Sequence, residues 1–220
     1  MTIRMAAAVA GIAALTALAA PAQAEVTKSD EHGFVTRDVA VVTASPKDVW
    51  LALISPAKWW NPDHTWSGDA ANLTLMPRAG GCFCERIPET PDPVRATLEG
   101  SAEHMRVIQA YPERALRMRG SLGPLQSEPV AGVLTISISE TEQGTRIVWE
   151  YVVGGYMRYE VGTIAPAVDG VMSEQLARLA KLLGPVDRPE GAAKDTPKGA
   201  DAAPAPEPSL EDAIDQMADN

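Results

Sequence analysis

The sequence predicts an α+β domain in which a curved antiparallel sheet packs against one long C-terminal helix. Short segments with alternating apolar residues fill most of the stretch between residues 72 and 153, which is the pattern of antiparallel strands. Residues 165–183 then carry an apolar stripe at helical spacing. A long amphipathic helix that follows consecutive strands is typical of a helix laid across a sheet.

The first elements are a strand and a short helix. Residues 34–44 alternate and are rich in Val, which predicts a strand. Ser45 is placed to cap a helix, with Pro46 at the first helical position and Asp48 three residues after the cap. Ser55-Pro56 ends this helix and begins another turn, and a loop rich in turn formers follows at residues 61–72.

Seven further strands are predicted before the last helix. They cover residues 72–76, 81–87, 94–100, 102–110, 115–119, 131–139 and 145–153. Alternation places Leu134, Ile136 and Ile138 on one face of the sixth of these strands, and Arg117 and Arg119 are expected to point outward. Gly184-Pro185 is a stop signal for the last helix.

Both ends of the chain are expected to lie outside the domain. Residues 1–24 have one charge, an Ala-rich apolar run and a small-x-small ending, which predicts an export signal cleaved after Ala24. Residues 25–33 are an N-terminal extension, and 34–184 are the domain. Residues 185–220 are rich in Pro, Ala and acid, which predicts a disordered tail with a candidate short helix at 209–217.

The net negative charge of the chain disfavours some classes of partner. After removal of the signal, the chain has 18 basic and 29 acidic residues, a net charge of −11, of which the tail holds −6. This disfavours nucleic acid and anionic membrane surfaces as partners, and no membrane span is expected in the mature chain. A protein partner that recognises the acidic tail stays open as an alternative. The predicted location is the periplasm or the exterior of the cell.

Several segments of the sequence resemble the START-like, or SRPBCC, superfamily. The segments are Val42 to Trp60, Arg78 to Phe83, Leu116 to Gln126, Gly144 to Val153 and the helix that ends at Leu183. The similarity is greatest to the branch of polyketide cyclase/dehydrase-like proteins and homologues of the chaperone-ATPase activator. The resemblance implies a helix-grip fold with a cavity for a small apolar ligand between the sheet and the last helix. It implies no shared catalytic motif.

A set of aromatic and neighbouring residues is the candidate ligand-binding site. Its members are Trp59, Trp60, His64, Trp66, Tyr151, Tyr156 and Met172. The clustered Trp side chains either clamp a ligand at the cavity mouth or cap the core at one end of the sheet. The segment Leu122 to Gln126 is either a lid or a plain turn with an apolar plug.

Glu85 and His104 are the candidate catalytic residues, if the protein is an enzyme. Each falls in an apolar strand, where a carboxylate and an imidazole facing one cavity can act as general base and acid. The alternatives are that the two side chains bond to each other for structural reasons, or that they face solvent. Alternation does not decide which face either residue occupies.

Cys82 and Cys84 lie two residues apart in one predicted strand, so both thiols are expected on the same face. At about 3.3 Å per residue, the Cα atoms of an extended strand would be about 6.6 Å apart at this spacing, near the upper limit for a disulfide. We expect buried free thiols ahead of a strained bridge, and a metal site last.

Three functions are consistent with these observations. The first is an exported protein that holds a small apolar or amphipathic ligand in the sheet–helix cavity. The second is a cyclase- or dehydratase-type enzyme that uses Glu85 and His104. The third is an envelope protein-interaction module. The sequence contains no nucleophile elbow, phosphate-binding loop, dinucleotide fingerprint or zinc-protease motif, so no cofactor and no metal are expected.

Overall fold

The computed structural model of the chain describes residues 25–90 and 97–186. These residues form eight strands and two α-helices. The strands are β1 Glu25–Asp30, β2 Gly33–Val42, β3 Leu73–Leu75, β4 Cys82–Ile87, β5 Gly100–Tyr111, β6 Ala115–Gly120, β7 Val130–Thr141 and β8 Gly144–Gly155. The helices are α1 Pro46–Leu53 and α2 Val161–Leu182, and short 3-10 helices lie at Pro56–Lys58, Pro62–His64, Ala70–Asn72 and Gly123–Ser127.

All eight strands belong to one antiparallel sheet with the order β1-β2-β8-β7-β6-β5-β4-β3. Its concave face packs against α2, α1 and the Trp-containing loop that follows α1. The helix-grip α+β fold predicted from the sequence is therefore confirmed. Leu134, Ile136 and Ile138 of β7 are buried on this face, and Arg117 and Arg119 on β6 are exposed, as alternation predicts.

Helix α1 begins as its sequence indicates. The Ser45 side chain accepts a hydrogen bond from the backbone N–H of Asp48 at 3.2 Å, and its hydroxyl donates to the Asp48 carboxylate at 2.6 Å. Pro46 is the first helical residue and has no backbone N–H, so no donor at this position needs a partner. The buried face of α1 consists of Val49, Trp50 and Leu53.

Helix α2 begins four residues earlier than predicted, at Val161, and contains Pro166 within its second turn. Pro166 has no N–H, so the helix lacks one backbone hydrogen bond near its start. Apolar packing of the buried face from Ile164 to Leu179 compensates for this loss. The helix ends at Leu182, and Gly184 adopts the left-handed conformation, with φ 75°. Backbone bonds from Thr43 and Ala44 to the end of α2 then tie it to the end of β2. No helix in the described residues is long and apolar enough to span a membrane.

Two predictions about the strands are wrong. Residues 25–30, expected to be an extension, form the edge strand β1 paired with β2. The polar sequence of β1 shows no apolar alternation, so periodicity did not indicate a strand. Backbone hydrogen bonds to β2, its one neighbour in the sheet, hold β1 in place. The predicted strand 94–100 does not form over 97–99, and β5 begins at Gly100. Residues 91–96 lie outside the described residues, as do the predicted signal, the tail beyond Val186 and the helix 209–217.

Strand β5 contains two register shifts. Cys84 pairs with Glu103 while Phe83 pairs with Met105, so His104 is an extra residue in β5. A second shift lies between Val107 and Gln109 on the side of β6. Each β-bulge changes which residues of β5 face inward. Because of the first bulge, the adjacent residues His104 and Met105 are both buried on the inner side of the sheet.

A buried acidic group lies between β2 and α2. Asp38 is 1% exposed, and Ser173 of α2 donates a hydrogen bond to its Oδ1 at 2.5 Å. Burial, with the nearby charge of Asp169 as a smaller cause, raises the pKa of Asp38 from 3.8 to about 6, although the bond from Ser173 acts to lower it. The ionised carboxylate is therefore unfavourable in the folded protein.

Replacing Asp38→Asn is expected to stabilise the protein at neutral pH. Because the folded pKa exceeds the unfolded one, the stability contributed by the protonated carboxyl is lost as the pH rises through about 6. An amide keeps the oxygen that Ser173 contacts and carries no charge. The variant should exceed the wild type in free energy of unfolding by about 1–2 kcal/mol at pH 7, and the difference should shrink at pH 5.

Urea unfolding of the two proteins at both pH values measures this difference. Glu140→Gln, which removes an exposed carboxylate from β7, is the matched control and should change stability by less than about 0.5 kcal/mol. A variant at Asp38 that is less stable than the wild type at pH 7 would contradict the expectation.

Candidate functional site

The loop between α1 and β3, residues 55–72, is called the Trp segment here, and it inserts two indoles beneath the sheet. Trp59 and Trp60 are buried, and their ring centroids lie 5.5 Å apart. Trp59 contacts Trp149 of β8 edge-on, and Trp60 contacts Phe83 of β4 in the same way. Each indole N–H is satisfied, Trp59 by the carbonyl of Ala52 and Trp60 by the carbonyl of His64. The Trp side chains therefore cap the core at one end of the sheet.

Polar contacts hold the Trp segment on α2. The backbone N–H of Asn61 donates to Gln175 Oε1 at 2.8 Å, and its side-chain amide donates to Glu174 at 2.6 Å. His64 Nε2 lies 3.1 Å from the other oxygen of Glu174. Arg178 donates to the carbonyl of Trp59 at 2.9 Å. One turn of α2 thus supplies most of the partners on this side.

An apolar cavity of about 20 Å³ remains between the Trp segment and the sheet. Its lining consists of Leu53, Pro56, Trp59, Trp60, Leu75, Phe83, Leu116, Met118, Leu134, Ile136 and Trp149. Among the described residues, the buried indole N–H of Trp149 has no hydrogen-bond partner. This N–H is not exposed to the cavity, so the surface of the cavity is wholly apolar.

Four side chains form a closed ring of hydrogen bonds at the other end of the Trp segment. Glu85 Oε2 lies 2.9 Å from His104 Nε2, and His104 Nδ1 lies 3.4 Å from Gln126 Nε2. Gln126 Oε1 accepts from the indole N–H of Trp66 at 2.8 Å, and the backbone N–H of Trp66 returns to Glu85 Oε2 at 3.0 Å. This ring, called the polar network here, joins β4, the bulge of β5, the 3-10 helix 123–127 and the Trp segment.

The polar network leaves little capacity for acid–base chemistry. The second oxygen of Glu85 accepts from the backbone N–H of Ser67 at 2.5 Å, so both carboxylate oxygens are occupied. Because the Gln126 amide donates, His104 Nδ1 must accept, and Nε2 then carries the proton that it donates to Glu85. Glu85 is 0% and His104 6% exposed, and neither lines the apolar cavity. The two residues bond to each other, as one of the alternatives from the sequence predicted.

The environment of Glu85 favours its ionised form. Burial acts to raise the pKa of Glu85, but the hydrogen bonds from Ser67, Trp66 and His104 together outweigh it. The pKa therefore lies below the ordinary carboxyl value. A buried carboxylate with every oxygen hydrogen-bonded is a strong anchor for a loop.

The other candidate ligand-binding residues are spread over the molecule. Trp59 and Trp60 line the cavity, whereas His64, Trp66, Tyr151, Tyr156 and Met172 do not. Tyr151 and Met172 are buried in the core, and the Tyr151 hydroxyl donates to the carbonyl of Gly120 at 3.3 Å. Trp66 is 56% and Tyr156 73% exposed.

Sequence reasoning missed the polar partners of the site. Gln126, Ser67 and Gln175 gave no signal, because isolated polar residues in loops or on a helix carry no periodic pattern. Gln126 follows Leu125, which is fully buried and fixes the 3-10 helix 123–127 against the core. The apolar plug predicted at Leu122 to Gln126 was the nearest indication of this role.

A second, open cleft of about 450 Å³ lies between the end of β1 and the start of α2. Its lining is mainly polar and includes Asp30, Glu31 and Glu160. Arg158, the cationic residue of this lining, is engaged by the buried carboxylate of Glu128 through contacts of 2.5–2.9 Å. The cleft is larger than the apolar cavity, but its open shape and mainly polar lining favour solvent over a specific ligand.

The expectation of free thiols is wrong in this structure. Cys82 and Cys84 form a disulfide on the outer face of β4, with their Cα atoms 5.4 Å apart. This separation is shorter than the value of about 6.6 Å expected for an extended strand, and it lies within the range that a disulfide accepts. Glu103 Oε and both sulfurs lie within 4.8 Å of one another, but sulfurs joined in a disulfide present no thiolate to a metal.

No protein-family model matches this sequence, and no curated protein matches it. Solved structures with a similar fold include an uncharacterised protein from Rhizobium leguminosarum, with 19% identity and a TM-score of 0.49 over 73% of this chain and 96% of that one. A Rhodobacter sphaeroides protein has 19% identity and a TM-score of 0.47 over 73% of this chain and 97% of that one.

An Aha1 dimer from Colwellia psychrerythraea is also similar, with 12% identity and a TM-score of 0.41 over 67% of this chain and 93% of that one. Identities this low carry no information on function, because one fold supports many activities.

Replacing Glu85→Gln is expected to destabilise the protein by about 2–4 kcal/mol. The amide offers one acceptor where the carboxylate serves two backbone N–H groups and His104, so at least one buried donor loses its partner. Since the folded pKa of Glu85 is depressed, its stabilisation is present above about pH 4.5 and is lost as the pH falls through the folded value. The loss in the variant should therefore be largest at neutral pH.

Chemical unfolding at pH 7 and at pH 3 measures both effects. Glu99→Gln is the matched control, because Glu99 pairs with Arg86 on the surface, where both side chains are more than half exposed. It should cost less than about 1 kcal/mol. Equal losses in the two variants would show that the polar network does not anchor the Trp segment.

Proposed function

We propose that this protein binds a small apolar or amphipathic molecule between the Trp segment and the concave face of the sheet. The observation that supports this proposal is the cavity lined only by apolar and aromatic side chains. A ligand with an apolar body fits this lining.

The present volume of about 20 Å³ corresponds to a closed state, since a lipid-like or aromatic ligand needs several hundred Å³. Opening requires the Trp segment to move. Its indoles withdraw together with their own loop and with α1, because their N–H groups bond to His64 and Ala52. The polar contacts to be broken are those with Glu174, Gln175 and Arg178 on α2 and those in the polar network. The ring contacts of the two indoles with Trp149 and Phe83 must be broken as well.

The enzymatic alternative has weaker support. Glu85 and His104 face each other, but their hydrogen-bonding atoms are all engaged and neither reaches the cavity. In our proposal they anchor the Trp segment and take no part in a reaction. The interaction-module alternative rests on the acidic tail, which lies outside the described residues.

We also propose that the chain is an exported member of the START-like superfamily. The helix-grip topology and the sequence segments that resemble this superfamily support the assignment. A disulfide between Cys82 and Cys84 supports export, because disulfides persist in oxidising compartments. The mature chain then begins at Glu25, which is also the first residue of β1.

Ligand binding predicts that Leu134→Phe weakens the uptake of an apolar probe at least tenfold. Leu134 lines the cavity from the middle of β7, and a larger ring there fills the space that a ligand would take. Dansyl-undecanoic acid is a suitable probe, because energy transfer from Trp59 and Trp60 reports its arrival in the cavity. Native mass spectrometry of the mature protein tests independently for a ligand that copurifies.

Val133→Phe is the matched control for this experiment. It places the same ring on the same strand but on the opposite face of the sheet, where Val133 is half-buried. The control should bind the probe as the wild type does. Absence of probe binding to the wild type, together with mass spectra free of any bound species, would overturn the proposed function.

Export predicts that the full-length protein, expressed in a Gram-negative host, is recovered from the periplasmic fraction with Glu25 as its first residue. Arg substitutions at Leu15 and Leu18, within the apolar run, should retain the uncleaved chain in the cytoplasm. Intact mass measurement of each fraction distinguishes the two forms. An uncleaved wild-type chain in the cytoplasm would contradict export.

A further inference from the structure

The outer face of β4 carries a second feature, which the ligand-binding proposal does not use. Cys82 and Cys84 point away from the core, and both are partly exposed. Their neighbours on this face are exposed polar residues: Thr74 pairs with Cys84 on one side, and Glu103 pairs with it on the other. An external thiol can therefore approach the disulfide from solvent.

This disulfide is poorly suited to stabilise the fold. Only one residue separates the two cysteines, so the bond closes a very short loop and removes little entropy from the unfolded chain. Strand β4 is also hydrogen-bonded to β3 and β5 on its two sides, and this pairing does not require the bond between the sulfurs. We therefore expect the strand to keep its place in the sheet when the disulfide is reduced. A disulfide with these properties is suited to reversible chemistry.

The charges around the disulfide distinguish its two sulfurs. Arg106 lies directly opposite Cys82 across the strand pair, and its guanidinium reaches the carbonyl of Gly80 at 3.1 Å. Glu103 lies opposite Cys84 and pairs with Arg106. The cation opposite Cys82 favours a thiolate at that sulfur, whereas the Glu103 carboxylate lies within 4.8 Å of both sulfurs and does not distinguish them. Cys82 is therefore the better leaving group.

We propose that Cys82 and Cys84 form a thiol–disulfide exchange site that oxidises dithiols. A substrate thiolate attacks Cys84 Sγ, which forms a mixed disulfide and releases Cys82 as a thiolate beside Arg106. The second thiolate of the substrate attacks its own sulfur in the mixed disulfide and releases Cys84. The substrate loses two electrons and two protons and becomes a disulfide, and the two cysteines become thiols after protonation.

The proposal is tested on the mature protein with a peptide that contains two cysteines as the dithiol, and with reduced glutathione as a monothiol. Acid quenching, maleimide alkylation and intact mass measurement count the thiols directly, because the chain has only two cysteines. One peptide disulfide should form per chain as two maleimides appear on the protein, without loss of the circular dichroism of the folded state. Both Cys82→Ser and Cys84→Ser should form none.

Three further measurements identify the roles of individual residues. With glutathione disulfide, Cys82→Ser should trap a mixed disulfide on Cys84. Arg106→Gln should slow exchange about threefold or more, because it removes the cation beside the leaving thiolate. Arg117→Gln is the matched control, because Arg117 is an exposed arginine on the outer face of the neighbouring strand β6. This variant should exchange at the wild-type rate.

A disulfide that is reduced only after the protein unfolds in denaturant would overturn the proposal, and this result needs no variant. Thiols that stay free under oxidising glutathione buffers would overturn it as well. Equal rates for Arg106→Gln and Arg117→Gln would overturn the assignment of Cys82 as leaving group. None of these outcomes depends on whether the cavity binds a ligand.

Discussion

The buried carboxylate of Glu85 is the interaction on which the arrangement of the site depends. It accepts hydrogen bonds from the backbone of Trp66 and Ser67 and from the ring of His104, and it is fully buried. A charge in this position is tolerated only because each oxygen is satisfied. The same bonds fix the end of the Trp segment, so the position of the indoles under the sheet follows from one acidic side chain on β4.

The two ends of the Trp segment are held by different kinds of contact. At α2, the segment docks through Asn61 and His64 against Glu174, which is partly exposed, so water competes for these bonds. At the sheet, the polar network closes on itself, and its Glu85 and His104 are buried. The apolar indoles lie between the two, and they contribute most of the burial but little directional restraint. A loop of this construction opens most readily from the side of α2.

The sequence was sufficient for those parts of the fold that rest on local chemistry. The cap at Ser45, the alternation in β7 and the stop after α2 each depend on near neighbours, and all three formed as predicted. The orientation of His104 was beyond such reasoning, because a bulge in β5 shifts the alternation by one residue and is fixed by pairing with β4. The disulfide escaped prediction because the Cα atoms of Cys82 and Cys84 lie closer together than those of an ideal extended strand. The polar network required contacts between segments that are far apart in sequence.

The bulge at His104 also bears on how this sheet tolerates change. With the extra residue removed, Glu103 would be followed directly by Met105, and strict alternation would still direct Glu103 outward and Met105 inward, as they lie now. Every other side chain of β5 near this point would keep its face, and the ladder with β4 would become regular. His104 is thus an insertion that the sheet accommodates without rearrangement. A one-residue deletion would leave a complete strand, but Glu85 would lose one of its three hydrogen-bond donors. Length variation here therefore changes the chemistry under the sheet while sparing the architecture.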